Sequence, residues 1–137
     1  MEKTLVFIKP DAVAKDVWRD ILVRYSSEGL VMIRSKILQM TEDLAKEFYV
    51  EHEGQPYFTE LIAHMTSGPI IALEFLGADI LERVRKLHGA TNPAEAAEGT
   101  IRKLYGEPVR GPKNAVHGSD SAENAERELF LVFGKED

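Results

Sequence analysis

Apolar positions along the chain change period several times, and each change marks an element. Thr4–Ile8 is β-branched and aromatic and is bounded by Lys9-Pro10, which predicts a short buried strand. Proline at position 10 lacks an N–H and ends the ladder, so Lys9 stands at the strand's end, either solvated or pointing into a cleft. Val17, Ile21, Leu22 and Tyr25 follow at helical spacing, with Gly29 where a C-terminal cap is expected, so 17–28 reads as a helix with Trp18 at the core edge or an interface. Leu30–Met40 interleaves Val, Ile and Leu with polar residues and predicts a second strand. Thr41 with Glu42 and Asp43 signals a helix start. Leu44, Ala45, Phe48 and Tyr49 then share a face, 52–56 breaks the pattern, and Tyr57, Leu61, Ile62 and Met65 resume it, giving a helical hairpin. Ile70–Phe75 is a third strand. Asp79–Leu87 is a helix with Ile80, Leu81, Val84 and Leu87 inward. That leaves Arg83, Arg85 and Lys86 outward near its C-terminus, where cations complement the helix dipole, and His88 is expected as another such cation.

The segment 89–119 breaks this rhythm. It holds five glycines and three prolines and has short helical pieces at most, over 93–98 and 100–105. Ile101, Leu104, Tyr105 and Val109 give it something to bury, so it reads as a folded functional excursion. A short helix over 121–128 and a fully apolar strand over 129–133 finish the pattern. Four strands with helices between them predict an α+β fold. The order is that of a ferredoxin-like βαββαβ unit, with a four-stranded antiparallel sheet covered by helices, in a single domain over 1–137.

Composition narrows the class. The 44% hydrophobic and 29% charged content suits a soluble globule. The absence of cysteine removes disulfides and thiolate metal sites. The first apolar run, 5–8, falls short of the ~7–15 residues of a secretory signal. No run approaches the ~20 residues of a membrane helix. A cytoplasmic location without membrane partners is the expectation. The net charge of −6 argues against a nucleic-acid partner, since phosphate backbones select basic surfaces. It leaves room for a small anion held by a few arginines in one cleft.

The chemistry concentrates in Asn114-Ala115-Val116-His117-Gly118-Ser119-Asp120. An imidazole titrates near pH ~6.5 and can be a neutral nucleophile in the cell. Gly118 leaves the backbone bare for an approaching anion. Ser119 or Asp120 can cap the following helix, whose N-terminus favours negative charge. Taken alone, a histidine in a polar loop is more often a solvated or capping residue. Tyr49 and Tyr57, near the break in the hairpin, suit either core packing or stacking against a nucleobase.

This motif, with Lys9-Pro10-Asp11 before it and Gly99-Thr100-Ile101-Arg102 between, resembles the nucleoside diphosphate kinase family over nearly the whole chain. The resemblance implies ping-pong transfer of a γ-phosphoryl group between nucleotides through a phosphohistidine on His117, with broad base specificity. It implies that Glu128, eleven residues on, holds the other ring nitrogen beside Ser119, and that Lys9 and Tyr49 complete the catalytic set. Arg85, Thr91 and Arg102 would hold phosphates, with Lys9 and Asn114 near the sugar and phosphates, and Tyr57 and Leu61 at the base. Tyr57 stands where the family usually has phenylalanine. Mg²⁺ would arrive with the nucleotide phosphates, with Asp120 beside it. The link 103–113 looks about two residues longer than is common, and Val109 is the candidate for the second side of the base slot. A short C-terminal tail departs from relatives whose longer tails help build hexamers, so the expected homo-oligomer is a dimer, tetramer or hexamer. The competing class is a non-catalytic nucleotide-sensing domain, which would have no need of His117.

Overall fold

The computed structural model describes residues 1–109 and 111–135. Arg110, in the lengthened link, and the tail residues Glu136 and Asp137 lie outside the described residues. Among these residues four strands form one antiparallel sheet in the order β2-β3-β1-β4. They are β1 (Glu2–Ile8), β2 (Val31–Leu38), β3 (Ile70–Gly77) and β4 (Val116–Gly118). Helices α1 (Pro10–Ala14), α2 (Trp18–Ser27), α3 (Glu42–Phe48), α4 (Phe58–Met65), α5 (Ile80–His88), α6 (Ile101–Tyr105) and α7 (Ala122–Phe133) lie between and after the strands. The α+β class and antiparallel sheet are those the sequence predicts.

Both faces of the sheet are covered, and β1 shows why. Its alternate residues Val6 and Ile8 join one core with Ile21, Tyr25, Ile80 and Val84 of α2 and α5. Leu5 and Phe7 join a second core with Ala45, Phe48, Leu61, Ile62 and Leu129 of α3, α4 and α7. A strand buried on both sides has no polar face, so its sequence reads as a continuous apolar run. Trp18 packs at the margin of the first core, with the Arg19 guanidinium over its ring. β2 is the opposite case. It lies at the sheet edge, and Val31, Ile33 and Ile37 are exposed.

Two predicted elements differ. Leu129–Phe133 is not a strand but the second half of α7. Ser121 caps that helix by accepting a hydrogen bond from Asn124 N–H, and neither Ser119 nor Asp120 is its N-cap. Ala125, Glu128, Leu129 and Val132 are its buried residues, a helical spacing that runs across 128/129. The fourth strand is instead the three-residue β4. Residues 10–14, predicted only as the place where β1 stops, form a helical turn with Pro10 at its first position, where a missing N–H costs nothing.

Candidate active site

The pairing of β4 with β1 places His117 opposite Phe7 at the sheet edge, in a strand rather than the polar loop the sequence suggests. The ring rests on aromatic neighbours, with centroids 5.2 Å from Phe48 and 6.2 Å from Tyr49, both edge-on. Its side chain is 20% exposed and lines a cleft of about 730 Å³. Nε2 lies 3.0 Å from Oε1 of buried Glu128. A carboxylate only accepts, so Nε2 carries a proton, and in the neutral ring Nδ1 then keeps the lone pair. Ser119 Oγ donates to the same Oε1 at 2.7 Å and accepts from Leu5 N–H, which ties the carboxylate to β1.

Lys9 is buried at the end of β1, and its Nζ donates to Asn114 Oδ1 at 2.9 Å. Burial pushes its pKa down to about 7; the charge of Asp11 opposes that shift and that of Arg102 adds to it. Asn114 Nδ2 in turn donates to the Thr91 carbonyl. Arg102 donates to the carbonyls of Gly89 at 3.0 Å and Val116 at 2.8 Å, while its buried Nε has no partner among the described residues. Burial lowers its pKa to about 10, Tyr25 opposing and Arg85 reinforcing. Gly89 must be glycine here. Its φ is +85°, and a Cβ would sit 2.5 Å from Thr100 Oγ1.

Lys9, Tyr49, Tyr57, Leu61, Thr91, Arg102, Asn114, His117, Asp120 and Glu128 all line the one cleft. Arg85 faces an adjoining shallow cleft with Asp120, which lines both. The Tyr49 hydroxyl is buried with no partner among the described residues, and burial, helped by the Glu128 charge, raises its pKa and keeps it a donor. Tyr57 is half-exposed at the mouth, its hydroxyl 2.6 Å from His52 Nδ1. Val109 is an exception. It is 64% exposed and does not line the cleft, whose wall on that side is Gly111 and Pro112. The link turns back there, Glu107 N–H bonding the Lys113 carbonyl.

Three residues carry structure the sequence reading missed. His88 is not an exposed cation but fully buried, its Nε2 2.6 Å from the Tyr25 hydroxyl. Burial, with the charges of Arg102 and His117, holds its pKa well below the usual value. Its ring backs Gly118, where a Cβ would meet His88 Cε1 at 3.2 Å, so that glycine serves packing as well as access. Asp11 and His64 are also buried and paired, 3.0 Å apart. The Lys9-Pro10-Asp11 triplet flagged the aspartate, but no local signal tied it to a histidine fifty-three positions on.

A family model described as nucleoside diphosphate kinase matches residues 2–137. The chain is 47% identical over 137 residues to the nucleoside diphosphate kinase of Bacillus licheniformis, covering 100% of this chain and 90% of that protein. It is 46% identical to that of Methanosphaera stadtmanae, covering 96% of this chain and 86% of that protein. Its fold is similar to the solved structure of the Aquifex aeolicus nucleoside diphosphate kinase, with TM-score 0.92 and 40% identity over 96% of this chain and 94% of that one. The structure from Encephalitozoon cuniculi gives 0.93 at 38% identity, over 98% and 90% of the two chains.

Proposed function

Because this chain belongs to the nucleoside diphosphate kinase family, and is a phosphotransferase acting on nucleotides, we propose that His117 Nδ1 is the atom that takes the phosphoryl group. The observation that carries this is the Glu128–Nε2 bond, which leaves Nδ1 as the ring's nucleophilic nitrogen.

In the first half-reaction the Nδ1 lone pair attacks the γ-phosphorus of a nucleoside triphosphate. An N–P bond forms, the bond to the bridging oxygen breaks, and the diphosphate leaves with that electron pair. The ring becomes cationic, and Glu128, already accepting from Nε2–H, offsets the charge. In the second half-reaction a terminal oxygen of an incoming diphosphate attacks the same phosphorus and restores the neutral ring. One cleft serves both nucleotides, which gives ping-pong kinetics.

The cations sit where phosphate charge would lie. Arg102 holds its fork rigid on two backbone carbonyls with Nε free, and Lys9 and Asn114 are locked to each other at the floor. Preset donors stabilise a transition state without reorganising. Arg85 shares the adjoining cleft with Asp120, which supports a phosphate-binding role from that side. The Tyr49 hydroxyl supplies an uncommitted buried donor beside His117. Tyr57 and Leu61 form one side of the base slot. Stacking is sequence-tolerant, which supports broad base specificity.

Asp120 contributes a carboxylate to both clefts, and no cluster of three metal-ligating side chains exists among the described residues. That donor set fits Mg²⁺ held mainly by phosphate oxygens and water, with Asp120 in reach. When bound, the ion neutralises charge on the β- and γ-oxygens.

A match over residues 2–137 supports one catalytic domain, and no helix among the described residues is long and apolar enough to cross a membrane. The exposed apolar residues of β2 and its outer edge, unpaired among the described residues, support a homo-oligomer built on that strand. The deciding test is labelling with γ-phosphate-labelled ATP. A base-stable, acid-labile phosphoenzyme is expected from wild type and none from His117→Asn; equal labelling of both sinks the assignment.

A further inference from the structure

Ala115 is the one buried non-glycine residue of the phosphoryl-transfer motif with a positive φ, +73°, among the described residues. Val116 N–H bonds the Asn114 carbonyl two residues back at 2.9 Å, so Ala115 is the centre of a γ-turn of the rare, strained hand. An alanine held at positive φ is strained and persists only where its surroundings over-determine it.

The surroundings are the segment 9–11. Ala115 N–H donates to Asp11 Oδ2 at 3.0 Å, and Lys9 N–H donates to the Ala115 carbonyl at 2.9 Å. Both polar groups of the strained residue are therefore pinned. The residue before it, Asn114, meets the Lys9 ammonium, and the residue two after it is His117. Asp11 is pinned in turn. His64, from α4, presents Nε2 to Asp11 Oδ1 at 3.0 Å, and both side chains are buried. A carboxylate must receive that bond, so Nε2 carries the proton.

We propose that Asp11, oriented by His64, is a positioning residue for phosphoryl transfer: it clamps Ala115 in the γ-turn that presents Asn114 and His117, and its charge supports that of Lys9. This rests on the reading of His117 as the phosphoryl acceptor. Asp11 touches no reacting atom; it acts through the backbone of 114–117 and through Lys9.

The charges fit this arrangement. Burial raises the Asp11 pKa, but the hydrogen bond from His64, the charge of Lys9 and the Ala115 N–H together win, and the carboxyl lies below its ordinary value. Lys9 faces Asp11, Asn114 and Arg102; Asn114 Oδ1 accepts a hydrogen bond from it, but of these Asp11 is the one that brings an opposite charge to the ammonium. Removing the Asp11 charge while keeping its shape leaves Lys9 with Arg102 and its own desolvation, both of which favour the neutral amine.

The test compares four proteins: wild type, Asp11→Asn, His64→Gln and His64→Leu. Each is assayed for ATP-plus-GDP turnover from pH 5.5 to 9, for phosphoenzyme formation, and for thermal melting. Asn at 11 keeps an acceptor for Ala115 N–H. The alkaline limb of kcat/KM, which reports the free enzyme, should move to lower pH by about one unit or more. His64→Gln retains an N–H donor and should stay near wild type. His64→Leu should fall about tenfold or more in kcat, since a loosened nucleophile segment costs rate steeply. A D11N profile that superimposes on wild type, equal behaviour of the two His64 variants, or loss of activity only in step with loss of folding would each overturn the proposal. Failure of the underlying reading shows separately, as a wild-type enzyme that carries no label on His117.

Discussion

The Glu128 carboxylate lies 3.0 Å from His117 Nε2, and the same oxygen accepts from Ser119 at 2.7 Å. One acceptor thus orients the imidazole and is itself oriented by a hydroxyl bound to β1. Glu128→Ala removes a charge-assisted hydrogen bond, an effect of about 1.5–3 kcal/mol. Phosphoenzyme formation should slow by roughly ten- to a hundredfold without being abolished, because Nδ1 remains in place. Single-turnover labelling measures it. An unchanged labelling rate would mean the carboxylate has no part in the chemistry.

Arg102 is tied into the protein on two sides, so its loss should act on stability as well as on rate. Arg102→Ala removes the donors to the part-buried carbonyls of Gly89 and Val116, a cost of up to about 1–3 kcal/mol each where water does not replace them. A fall of several degrees in Tm, ~2–8 °C per kcal/mol for a domain near this size, should accompany the loss of turnover. On the proposed role, adding ADP should then raise the Tm of wild type much more than that of the variant, which would also have lost a phosphate donor. Equal ADP-induced shifts would show that Arg102 serves the fold alone.

If Lys9 meets the phosphates as proposed, nucleotide binding should be proton-linked. With a pKa of about 7 in the free protein, its ammonium is largely neutral at pH ~8. Phosphate oxygens arriving beside it favour the charged form, so binding should raise that pKa and take up a proton from solvent. Calorimetry of ADP binding at pH ~8 in two buffers of different ionisation heat should report an uptake approaching one proton. Lys9→Met should abolish the uptake. No difference between buffers for wild type would place the Lys9 pKa far from neutrality.

Much of this was legible from sequence because the signals are local. Helical spacing from Val17 to Tyr25, the apolar run of β1 and the motif around His117 each speak through near neighbours. What failed was information carried by distant contacts. Leu129-Phe130-Leu131-Val132-Phe133 has no polar residue to reveal a period, so a buried strand and half a helix look alike. Phe130 is in fact 57% exposed while Leu129 and Val132 are buried, a pattern only packing on β1 and α3 decides. Val109 looked apolar enough for the base slot, but Glu107 and Lys113 close the link so that Gly111 and Pro112 face inward. His64 and Asp11 look ordinary where they stand in the sequence and meet only because the fold brings α4 against α1.

His88 and Tyr25 form a buried pair at 2.6 Å behind β4, and they should set the protein's acid tolerance. The folded protein holds His88 neutral, since burial and the charges of Arg102 and His117 all disfavour imidazolium. The unfolded chain protonates the same ring near pH ~6.5. Below that pH the unfolded state binds more protons, so this residue's contribution to stability is intact above about 6.5 and declines as the pH falls towards the folded pKa. The slope is about 1.4 kcal/mol per pH unit. Replacing His88 alone would orphan the Tyr25 hydroxyl, at a cost of about 1–3 kcal/mol. The informative variant is therefore Tyr25→Phe with His88→Leu. At pH ~7.5 its urea-unfolding stability should lie close to wild type, and at pH ~5 it should exceed wild type. Asp11 does not confuse the comparison: its lowered pKa starts from 3.8 and acts in more acidic solution. Parallel loss of stability in both proteins between pH ~7.5 and ~5 would show that His88 is not the acid-sensitive group.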